Sequence, residues 1–61
     1  MIIKAMCNDR PCNYKYADFI GIYQDETLVH STQTVHQAVN WCLHHHPLVF
    51  KLHESVIKRP Q

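Results

Sequence analysis

The sequence predicts a small α+β domain: a three- to four-stranded, mostly antiparallel sheet with one amphipathic helix packed on one face. Three observations carry that expectation. Residues 1–7, 19–23 and 28–32 are short runs rich in β-branched and aromatic residues, the last two separated by a four-residue polar turn. Val35, Ala38, Val39, Cys42 and Leu43 recur at helical spacing, giving one apolar stripe on a helix spanning about 34–46. A chain of 61 residues has room for one domain, 1–61, and two packed layers are the simplest way to bury these faces.

The elements follow in order. In the first strand Ile3, Ala5 and Cys7 share a face opposite Lys4. Residues 8–18 are rich in turn formers (Asn8, Asp9, Pro11, Asn13) and read as an irregular connection. The second strand, 19–23, carries Gly21 at its middle, which points to a bulge or a close approach of another side chain. Residues 24–27 form the turn into the third strand. Thr34 and Gln37 make a T-x-x-Q capping box at the helix start, and Pro47 forbids continuation. The order closes as β-β-β-α-β with a final strand over 48–57, where Leu48, Phe50 and Leu52 alternate with Val49, Lys51 and His53. Residues 58–61 are expected to fray.

Composition narrows the function classes. Apolar residues at 46% and a single glycine argue for a folded chain. The formal charge of +1 is too small for a strong electrostatic claim on nucleic acid or anionic membranes, and protonating all six histidines would raise it to +7. The N-terminal residues lack the pattern of a signal peptide, and no run is long enough to span a bilayer. The expectation is a cytoplasmic protein whose thiols are reduced.

No hydrolase, zincin, P-loop or dinucleotide motif occurs, the five acids are scattered, and so small a domain has little room for a water-excluding cleft. A non-enzymatic protein without cofactor or small-molecule substrate is expected. His44, His45 and His46 sit where the helix ends, and imidazoles there suit the partial negative charge of the last carbonyls. A zinc site offers a second reading of the same run. Cys7, Cys12, Cys42 and His45 (or His46 in its place) supply soft ligands, and a small core gives a reason to want a metal.

Two further groups bear on binding. Arg10, Tyr14, Lys15 and Tyr16 interleave cations with aromatics, as a weak single-stranded nucleic-acid surface does, but near-neutral charge favours a solvated loop. Trp41 lies on the helix flank and, with Tyr23 or Phe19 nearby, can anchor a protein partner. One helix cannot cover both faces of a sheet, so a homodimer is the simplest cover. The leading expectation is a protein-interaction module, homodimeric and also meeting another protein, of the size of bacterial or phage accessory and inhibitory proteins. The alternative is a zinc-stabilised domain that binds nucleic acid.

Overall fold

The computed structural model describes residues 1–45 and 50–57. It is an α+β domain. Strands β1 (Ile2–Cys7), β2 (Arg10–Pro11), β3 (Phe19–Gln24) and β4 (Thr27–Thr32) precede helix α1 (Val35–His45), and β5 (Lys51–Leu52) and a helical turn α2 (Glu54–Ile57) complete it. Among the described residues no helix is long and apolar enough to cross a membrane.

The sheet runs β2-β1-β3-β4, with every neighbour antiparallel. Two tight turns build it. Asn8 and Asp9 (φ 52° and 63°) join β1 to β2, and Asp25 and Glu26 (φ 52° and 67°) join β3 to β4. Paired positive φ values give turns whose twist matches that of the strands they connect.

The outer edge of β1 is shared. Its later half pairs with β2, at Met6↔Pro11 and Cys7↔Arg10, while its first half pairs in parallel with β5, at Ile2↔Lys51 and Ile3↔Leu52. The main-chain N–H groups of Lys51 and His53 donate to the carbonyls of Met1 and Ile3, both at 2.9 Å. Where neither strand reaches, the Ser55 hydroxyl accepts the Ala5 N–H at 2.9 Å. Nδ1 of His53 lies 2.9 Å from that hydroxyl and accepts the Ser55 N–H at 3.0 Å, so the hydroxyl proton has an acceptor. Ser55 is buried, and Ser55→Ala would strand the Ala5 N–H. The expected cost is about 1–3 kcal/mol. Urea melts should report that loss, with faster amide exchange at Ala5; unchanged exchange would mean water replaces the hydroxyl.

The expected last strand is realised only over Lys51–Leu52. Ser55 and Val56 are both buried on the helical turn that replaces the rest of it, and the His53 ring caps that turn. Residues 46–49, with His46, Pro47 and the beginning of that expected strand, lie outside the described residues, as do 58–61.

Helix α1 starts as its capping box dictates. The Gln37 N–H donates to Thr34 Oγ1 at 3.1 Å, and Gln37 Oε1 accepts the Thr34 N–H at 3.2 Å. The helix lies over β1, β3 and β4. Ile3, Ala5, Ile20, Ile22, Ala38, Cys42 and Val56 form the core, with Val35, Val39, Trp41, Tyr14 and Phe50 packed around it. Leu43, expected on the buried stripe, is half exposed. Trp41, on the other flank, leans toward the sheet instead because His30 of β4 receives its ring.

Candidate interaction surface

Strand alternation divides the sheet into a covered and an open face. Ile3, Ala5, Ile20 and Ile22 point to α1. Their neighbours Ile2, Lys4, Met6, Phe19, Gly21 and Tyr23 therefore share the other face, in the pairs Ile2↔Tyr23, Lys4↔Gly21 and Met6↔Phe19. On that side Met6 and Gly21 are buried, and Ile2, Lys4, Phe19 and Tyr23 are half-buried. Leu28, opposite Tyr23, continues it onto β4, where a bulge between Ile22 and Tyr23 leaves Val29 without a register partner.

The Tyr23 ring folds back over Gly21, so closely that a Cβ there would lie 2.5 Å from its Cε1. The Lys4 ammonium sits 5.1 Å from the centroid of the same ring. The close approach expected at Gly21 is thus the tyrosine two residues on.

β4 ends the sheet. Among the described residues nothing pairs with its outer edge. Its sequence, Thr-Leu-Val-His-Ser-Thr, contains no lysine, arginine, acidic residue or proline, the devices that usually block an edge. Leu28 and Val29, 47% and 41% exposed, place apolar surface along it.

Trp41 does not join Tyr23 and Phe19 in one patch, which corrects the expected grouping. It sits on the covered side, against the core. Its ring stacks on His30 at 4.7 Å and on His45 at 4.4 Å, centroid to centroid, with planes 10° and 18° apart. Tyr23 and Phe19 occupy odd positions of β3, which alternate away from the helix. His44 and His45 are both exposed, and His45 also lies against the indole face.

The cysteine and histidine set is dispersed as well. Cys7 and Cys12 are joined in a disulfide, so the expectation of reduced thiols does not hold for this pair. Hairpin geometry explains it: Cys12 lies opposite Ala5, its N–H donating to that carbonyl at 2.8 Å, diagonal to Cys7 with Cα atoms 5.9 Å apart. Closing so short a loop constrains the unfolded chain by only about 2 kcal/mol. Cys42 is fully buried in the core. Burial pushes its thiol pKa up, more than the amino terminus pulls it down. The folded state therefore holds that proton more tightly than the unfolded chain. The resulting stability is complete below the ordinary cysteine pKa and is lost as pH rises above it. Among the described residues no three histidine, cysteine or acidic side chains are grouped to hold a metal.

The aromatic-cationic loop is split too. Tyr14 packs against the core and its N–H donates to the Ser55 carbonyl at 3.0 Å. Arg10, Lys15 and Tyr16 are exposed, with Tyr16 at 69%. One tyrosine is available there for stacking rather than two.

Sequence reasoning missed the Ser55–His53 pair, the hairpin disulfide and the His30–Trp41 stack. Only the disulfide left a signal, because Cys7 and Cys12 bracket the turn-forming Asn8-Asp9 pair. Comparison with protein-family models, with curated proteins and with solved structures finds no match to this chain.

Proposed function

We propose that this chain is a non-enzymatic protein-interaction module that pairs with a second copy of itself along β4. What supports this reading is the outer edge of β4, six residues long, without lysine, arginine, acid or proline, and carrying exposed Leu28 and Val29. Two such edges meeting antiparallel about a two-fold axis continue the sheet from one copy into the next.

The charges on either side of the strand suit that arrangement. With the axis between Val29 and His30, the Asp25–Glu26 turn of one copy approaches residues 33–34 of the other, at the start of α1. That helix has no acidic residue in its first turn. Its N-terminus carries about half a positive elementary charge. Each copy thus offers the acids that the other's helix lacks. The same edge can take an extended strand of another protein.

Sedimentation across a dilution series tests the pairing. The expected result is a monomer–dimer equilibrium, abolished by Val29→Lys while the far-ultraviolet circular dichroism stays unchanged. A monomer at every concentration, or a Val29→Lys dimer as stable as the parent, would refute it.

A further inference from the structure

The Cys7–Cys12 bridge spans a hairpin that is already closed without it. The Asn8–Asp9 turn reverses the chain, and Met6↔Pro11 and Cys7↔Arg10 hold the strands in register. The Cys12 N–H bond to the Ala5 carbonyl extends that ladder to the bridged residue itself. A bond of this kind adds little that the backbone has not fixed.

Its position is the second observation. Neither cysteine belongs to the core, and both are half-buried at the sheet's outer edge. Cys12 lines a cleft of about 250 Å³ together with Pro11, Asn13, His53, Glu54 and Ser55. The third cysteine, Cys42, is fully buried on the other side of the core. A thiol arriving from solvent therefore meets one reachable bridge and no reachable free thiol with which it can scramble.

We propose that Cys7–Cys12 is a reversible thiol–disulfide exchange site, entered from the cleft beside Cys12 and served by a dithiol reductant. The attacking thiolate forms a bond to Cys12 Sγ. The electron pair of the broken S–S bond leaves on Cys7 Sγ, which takes up a proton. The reductant's second thiol then attacks its own mixed-disulfide sulfur, and Cys12 departs as thiolate and is protonated in turn. Two electrons and two protons pass to the protein, and the reductant becomes a cyclic disulfide.

Reduction has a defined structural reach. Two residues after Cys12, Tyr14 anchors the chain to α2 through its N–H bond to Ser55 and rests on the core. The bridge is the covalent tie between this strap and β1, so exchange switches the strap between a cross-linked state and one held by its backbone bonds and the packing of Tyr14 alone.

The test uses the full chain without denaturant. Protein is mixed with dithiothreitol, sampled over time, quenched with N-ethylmaleimide, and mapped by peptide mass. The expected result is joint labelling of Cys7 and Cys12 while Cys42 stays unlabelled, at a rate within about tenfold of that in urea. Labelling of all three cysteines in step, or reduction only in urea, would overturn the proposal, since the bridge then opens only by unfolding. A Cys7→Ser/Cys12→Ser variant should keep the parent's circular dichroism and its protected Cys42. Its failure to fold would make the bridge a structural staple and would equally overturn the proposal.

Discussion

Trp41→Ala is expected to lower the stability of the fold by about 2–4 kcal/mol, a little below the range for a fully buried tryptophan. The indole rests on the core and presents its face to His30 and His45, so truncation removes a core contact together with both ring stacks. For a domain of this length the total stability is about 3–9 kcal/mol, so the loss is a large share of the whole. Urea melts followed by circular dichroism give the number directly. Trp41→Phe, which keeps an aromatic face, should recover most of the loss. A Trp41→Ala protein that melts like its parent would return the indole to the role of surface anchor.

Gly21→Ala is the second large effect, expected at about 1–3 kcal/mol. The added methyl would lie 2.5 Å from Cε1 of Tyr23 and 3.0 Å from its Cζ and hydroxyl. The ring can swing away only by leaving the Lys4 ammonium, a contact worth about 0.5–1 kcal/mol at an exposed site. A double-mutant cycle isolates the clash. In a Tyr23→Ala background the same Gly21→Ala change should be neutral or stabilising, because alanine costs less conformational entropy than glycine in a strand. Equal costs in both backgrounds would show that the backbone at Gly21, and not the ring above it, is what excludes a side chain.

What the sequence announced is local. The capping box, the helix stripe and the β3–β4 turn each depend on residues within a few positions of one another, and each stands where the pattern placed it except that Leu43, at the end of the stripe, is half exposed. Gly21 was legible as a close approach because a glycine inside a strand has few other uses. Several of the features that stayed hidden join distant segments. The Ala5–Ser55 bond spans 50 positions, β5 pairs with β1 across the whole domain, and His30 meets Trp41 across two layers. Residues 53–57 misled for a related reason. The alternation that predicts a strand ends at His53; beyond it Ser55 is buried for its hydroxyl and Val56 for its packing, on a helical turn. The binding surface was half legible: Tyr23, Phe19 and Trp41 were found as residues, but strand alternation sends the first two to the opposite face from the third. The β4 edge can be recognised as an edge only once the strand order is known.

The shared outer edge of β1 also sets an order of events in folding. β3 and β4 are contiguous and joined by a two-residue turn, so they can pair in microseconds. β1 can add to β3 soon after, across the intervening loop. On its other flank β2 can cover the later half at once, but the first half must wait, because the partners of the Met1 and Ile3 carbonyls and of the Ala5 N–H are residues 51, 53 and 55. On a ribosome the first strand emerges early and keeps that half of its flank bare until those residues have been made. Closing a loop of that span is the slowest contact in the molecule, so folding should run with the high contact order of a much more β-rich domain. A chain stopped before residue 51 would keep its hairpin and its helix, yet expose the unpaired flank of its most central strand to other nascent chains.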